Sequence, residues 1–314
     1  MIISRVAPLL ALALVMGCAV PDGQPEEPAT TAAPSAVVQP VRASPTPAPT
    51  PTPVAHIQPT RPGVFSFSGE LTQGGYIRGT APGGAVSVTL GGQTLPIDDD
   101  GHFFAAFDRD AGPSATLSAR LADGRTIDSP LSIAPRAWNI ERVNVARSPG
   151  GASEAFMRIR RPELARIVRA RAVESDTQGW RQDFVWPVTG RISGRFGSQR
   201  VYRGEPGSYH SGLDVTTGRA GSPYVAPADG VVVLATSSDF SLEGKLLIID
   251  HGNGLNSAFL HSSRLYVQEG ERVKQGQHIG DIGSSGRATG PHLHWSLKWR
   301  DARLDPLLFT GPMN

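Results

Sequence analysis

Gly290-Pro-His-Leu-His-Trp-Ser-Leu-Lys-Trp299 alternates apolar and polar side chains from His292 onward. A strand sends successive side chains to opposite faces, so Leu293, Trp295, Leu297 and Trp299 read as a row facing a core, with His292 and His294 paired on the other face. Taken alone, His-x-His has a bland reading as two polar members of a half-buried strand. Two upstream fragments raise it above that: His210-Ser-Gly-Leu-Asp214 and Phe259-Leu-His261. Two imidazoles and one carboxylate can fill three corners of a tetrahedron around zinc and leave the fourth for water, while further imidazoles move protons. The combination points to a metallohydrolase.

Working outward, apolar runs at Gly230–Ala235, Lys245–Asp250, Asn256–His261 and His292–Lys298 are separated by Gly-rich turns, with no long helical period among them. This predicts an antiparallel β architecture. The four-residue spacing of His210 and Asp214 would also suit a helix face. Gly212, flanked by Gly204, Gly207 and Gly218, argues instead for a loop running into a strand. For Asp214 alone the ordinary alternative is a solvated or capping acid.

These fragments, their order and the glycines between them resemble peptidase family M23, the zinc metallopeptidases of the lysostaphin type. The resemblance runs from about Phe184 to about Phe309 and includes Phe184-Val-Trp-Pro187, Gly194-Arg-Phe-Gly197, Ala226-Pro-Ala-Asp-Gly230, Asp250-His-Gly252, Gly276-Gln-His-Ile-Gly280 and Gly283-Ser-Ser-Gly-Arg-Ala-Thr-Gly-Pro-His-Leu-His294. It implies a β-sheet core with a cleft whose floor carries one Zn2+. His210, Asp214 and His294 would be the metal ligands, and His261 and His292 the unligated catalytic pair. The implied substrate is the peptide cross-link of peptidoglycan, cut by a D,D-endopeptidase. A rival also follows, because some lipoproteins with this domain have lost zinc ligands and activate cell-wall amidases by contact; all five positions are present here. Phe259 stands where the family often has Tyr, a position that needs only an aromatic side chain.

The other histidines read as structural: His251 and His278 on turns, His102 after a hairpin signal at Asp100-Gly101, and His56 in a linker. A net charge of +2 over 314 residues makes no case for nucleic acid. The single cysteine, Cys18, excludes a disulfide framework and a thiolate zinc site in the mature domains.

Residues 1–18, an apolar run after Arg5 ending in Val15-Met-Gly-Cys18, resemble a bacterial lipoprotein signal. The expectation is a lipid anchor on Cys18 and a periplasm-facing, outer-membrane lipoprotein. Residues 19–62 are rich in Pro, Thr and Ala and predict an extended tether with a reach on the order of 130 Å at the polyproline rise. Residues 63–146 alternate in short runs with turn signals, predicting a small β-sandwich of immunoglobulin-like architecture that is either a spacer or a module docking on wall polymer or a partner protein, the latter making the chain a wall-binding scaffold. Residues 147–183 predict a connecting helix with Leu164, Ile167, Val168 and Ala172 on one stripe and its arginines in solvent, or a segment that packs near the groove and regulates entry. Residues 184–314 form the peptidase domain in this reading: the whole is mainly β.

Overall fold

The computed structural model describes residues 63–146 and 153–313. Cys18, the tether and His56 lie outside the described residues.

The row of large apolar residues in the last strand organises the molecule. Leu293–Trp299 is an inner member of a mainly antiparallel sheet whose order is Arg272–Val273, Gly230–Ala235, Lys245–Asp250, Leu255–Ser262, Leu293–Trp299, Leu213–Thr216 and Arg191–Gly194. A short strand, Ala302–Leu304, also pairs with Leu293–Trp299. Leu293, Trp295, Leu297 and Trp299 are all buried, as the alternation predicts. Register then fixes the neighbours of His294: Asp214 is its partner on one side and Leu260 on the other. Phe259 points away from that face, fully buried and stacked on Tyr224 with ring centroids 5.4 Å apart. Its lack of a hydroxyl therefore touches nothing in the site.

Residues 63–146 form two antiparallel sheets. One holds Ser66–Gly69, Tyr76–Thr80 and His102–Ala106; the other holds Gln93–Leu95, Ala85–Leu90, Ser114–Leu121 and Thr126–Ser132. Their core is continuous with that of the large sheet. Tyr76 stacks on Phe309 at 4.0 Å, and Phe104 meets Trp299 edge-on at 6.0 Å. Burying one such ring contributes about 1.5–3 kcal/mol. Past these sheets, Ile140–Val143 pairs in parallel with Gln199–Tyr202, which forms a hairpin with Glu205–Tyr209. The buried Arg109 closes the junction, donating to Gly197 O at 3.0 Å and to Gln199 Oε1 at 3.1 Å with its guanidinium over Trp138 and Tyr209.

The helix Glu154–Arg171, α1, begins where Ser153 Oγ accepts from the Phe156 amide at 3.1 Å, a standard N-terminal cap. It packs on the strands Gly230–Ala235 and Lys245–Asp250. The expected stripe is corrected here: Leu164 and Val168 are exposed, while Arg160, Glu163 and Ala170 are buried and Ile167 packs against the sheet. Arg160 donates to both oxygens of Glu243 at 2.6 Å and to Glu163 at 2.9 Å. Glu163 in turn accepts the amide and hydroxyl of Ser241, each at 2.6 Å. Polar groups that are fully paired in this way can take the inward face of a helix and leave apolar ones outside.

Candidate metal centre

Three donor atoms converge above the middle of the sheet. His210 leaves the hairpin strand Glu205–Tyr209, Asp214 sits in Leu213–Thr216, and His294 in Leu293–Trp299. His210 Nε2 lies 3.1 Å from Asp214 Oδ1 and 3.1 Å from His294 Nδ1, and His294 Nδ1 lies 2.8 Å from Asp214 Oδ1. His210 Nδ1 faces Arg195 O at 3.2 Å; a carbonyl only accepts, so Nδ1 carries the proton and Nε2 of the neutral ring presents a lone pair. Lone pairs of an imidazole and a carboxylate that face one another need a positive species between them. Tetrahedral zinc with bonds of about 2.0–2.1 Å sets its ligand atoms about 3.3 Å apart, so this donor set fits that ion with a small relaxation.

Glycine makes the convergence possible at two points. A Cβ on Gly194 would lie 2.4 Å from Asp214 Oδ2, and one on Gly212 would lie 2.6 Å from both His294 Nε2 and Trp295 O. Both positions stand within the quoted motifs, but their steric role is visible only in three dimensions.

The two remaining histidines stand beside the trio. His292 precedes its strand, bridged to Gly283, with Nδ1 donating to Gly290 O at 2.8 Å and Nε2 3.8 Å from Asp214 Oδ1. His261 donates from Nδ1 to Ser285 O at 2.9 Å, and its ring centroid is 4.9 Å from that of His292. His261 has a φ of 66°, in the left-handed region. The pairing of Lys245–Asp250 with Leu255–Ser262 shifts register here, so the strand bulges and turns the ring out of its regular alternation. Sequence reasoning had no signal for that bend, nor for the three carbonyls that set the ring tautomers.

The electrostatics follow from burial and from Asp214. Burial pushes the Asp214 carboxyl up, but the close contacts with the His210 and His294 rings more than offset it, and the group is held well below the usual carboxylate range. For His210, burial lowers the pKa, and the bond and charge of Asp214 outweigh it to give a net rise. Burial lowers His261 and His294, in the latter case against the pull of Asp214. His261 is thus a neutral, proton-accepting ring at neutral pH.

An open groove of about 1080 Å³ runs from His210 and Asp214 along Gln199, Arg200 and Tyr209, with Arg287 on its edge. The other histidines fall outside the centre. His251 is fully buried, donating to Asp229 O at 2.8 Å with Ser257 Oγ 2.7 Å from its other nitrogen; His278 pairs with Asp281 at 2.9 Å. A second grouping, Asp98, Asp100 and His102, lies on a turn where Asp98 already pairs with Arg181 and accepts the His102 amide.

Residues 208–306 match the family model "Peptidase family M23". The peptidoglycan DD-endopeptidase ShyA of Vibrio cholerae is 35% identical over 127 residues, which is 39% of this chain and 28% of that protein. The murein hydrolase activator NlpD of Salmonella dublin is 33% identical over 124 residues, 40% of this chain and 30% of that one. The chain thus spans less than a third of either relative's length. A solved structure assigned to peptidase M23, from Pseudomonas aeruginosa, is 27% identical and covers 76% of this chain and 93% of its own, with a TM-score of 0.57. A matching family model, similar relatives and a shared fold agree on one conclusion: this chain carries a domain of peptidase family M23.

Proposed function

We propose that the protein is a zinc-dependent endopeptidase that hydrolyses peptide cross-links of bacterial peptidoglycan. The observation that carries the reading is the completeness of the centre: His210, Asp214 and His294 bring their donor atoms within 3.1 Å of one another, with His261 and His292 beside them. Zinc held there would supply a Lewis acid that polarises a carbonyl and activates water. The chain's own residues do the rest. Ser285 O and Gly290 O hold the Nδ1 protons of His261 and His292, so Nε2 of each ring is the nitrogen left to exchange a proton. One ring takes the proton of the attacking water, and the other stabilises the charge that develops on the carbonyl oxygen. The open groove suits an extended peptide, and the DD-endopeptidase among the relatives supports the substrate class.

A second reading, a non-catalytic activator of cell-wall amidases, draws support from the relative named as a murein hydrolase activator. Cross-linked muropeptides incubated with purified protein, with and without a chelator, separate the two. Endopeptidase action gives products that the chelator abolishes; an activator gives none in either arm. In either reading we place the protein in the cell envelope as a lipoprotein anchored through Cys18. The lipobox-like Val15-Met-Gly-Cys18 supports this, and palmitate labelling that persists in Cys18→Ser would overturn it. Among the described residues no helix is long and apolar enough to cross a membrane.

A further inference from the structure

One face of α1, from Arg160 to Arg171, lines a second cavity, of about 350 Å³, on the side of the sheet where His294 and Ser211 form part of the lining. Ile167 on the helix and Ile248 and Leu260 on the sheet give it apolar walls. Arg171, Lys298 and Arg303 line it as well. Glu243 is the one carboxylate in the lining among the described residues, and both of its oxygens are held by Arg160 at 2.6 Å. Lys298 Nζ meets the fully exposed Asp301 at 3.4 Å. The Arg303 guanidinium lies over the Tyr209 ring at 5.4 Å. Arg171 Nη1 is buried and has no hydrogen-bond partner among the described residues. Burial first, and the neighbouring Arg303 charge second, push the Arg171 guanidinium down to about 10. A buried donor without a partner is destabilising, the more so when charged, and an anion entering the cavity relieves it.

We propose that this cavity binds a carboxylate of the peptide substrate, with Arg171 as the anchoring cation and Lys298 and Arg303 at its rim. The assignment rests on the endopeptidase reading, which puts a peptide across the metal centre with His294 as the shared boundary. Apolar walls beside a cationic end match an amino-acid residue that carries an alkyl chain and a terminal carboxylate.

Calorimetric titration of the full chain with a synthetic stem tetrapeptide ending in D-alanine, and with its C-terminal amide, tests this without turnover. The free acid should bind about tenfold more tightly, as one charge-assisted hydrogen-bond pair implies. In Arg171→Gln the preference should fall to within about twofold with zinc content unchanged, and in Arg303→Gln it should shrink less. Equal affinities in the wild type would overturn the proposal. So would a preference that survives Arg171→Gln, because the acid would then be held elsewhere, the metal included. If Arg171→Gln does not fold, Arg303→Gln decides, and an undiminished preference there overturns the site. Inorganic phosphate that binds as tightly as the free acid would mark a general anion site and also overturn it. A protein that shows the preference but hydrolyses no muropeptide would keep this site and lose the endopeptidase.

Discussion

Two buried polar clusters lie against the same sheet, and they differ in what faces what. Under α1, cation meets anion: Arg160 spans Glu163 and Glu243, and Ser241 supplies the remaining donors. At the candidate metal centre, ring nitrogens of His210 and His294 converge on the Asp214 carboxylate, all within 3.1 Å of one another. The clusters touch at Glu243, whose side chain holds α1 and whose carbonyl accepts the His261 amide at 2.9 Å. Burial of charge is thus no mark of function in itself. A paired cluster positions a helix, and a cluster whose ligand atoms converge on one point suits an ion.

The sharpest break of this comparison comes from the converging cluster. Replacing His294 with Ala should abolish both zinc binding and muropeptide hydrolysis, read by elemental analysis and product chromatography. His292→Ala should keep its zinc and lower kcat by about 10²–10⁴-fold, the range for removing a general acid or base. The opposite pattern would exchange the two roles.

The paired cluster should answer with stability alone. Glu243→Ala leaves Arg160 short of its main partner at a side-chain exposure of 9%, and should cost about 3–5 kcal/mol in urea unfolding with zinc stoichiometry unchanged. A third buried polar group sharpens the contrast through pH. His251 is fully buried and pushed down to about 4, so below its unfolded pKa of about 6.5 the unfolded chain binds a proton that the folded chain refuses. Its contribution is complete above about pH 6.5 and is lost as the pH falls towards 4, at most about 3 kcal/mol. Measuring this in His294→Ala keeps metal release out of the titration. The smallest effect belongs to the exposed pair Arg161–Glu154, 3.2 Å apart, where Glu154→Gln should change stability by less than about 1 kcal/mol.

Legibility in the sequence divides along the same line. The period-two row Leu293, Trp295, Leu297, Trp299 and the strands Gly230–Ala235 and Lys245–Asp250 are where the alternation and apolar runs place them, because burial on a pleated surface repeats every second residue. His210, Asp214, His261, His292 and His294 were readable as a set because few other chemistries call for those residue types in three fragments. The inward face of α1 was not readable. Apolar spacing favours Leu164 and Val168, and the partner that lets Arg160 go inside, Glu243, lies 83 residues away. The left-handed turn at His261 and the close approaches at Gly194 and Gly212 were hidden for a similar reason, since each depends on a strand that is distant in sequence. The short strand Ile140–Val143 carries too little alternation to reveal its parallel pairing with Gln199–Tyr202.

Zinc K-edge X-ray absorption on the purified wild-type protein tests the central claim most directly. Convergence of His210, Asp214 and His294 predicts about one zinc per chain, with nitrogen and oxygen neighbours at about 2.0–2.1 Å and no sulfur. Protein that takes up no zinc, or zinc with sulfur in its nearest shell, would contradict it.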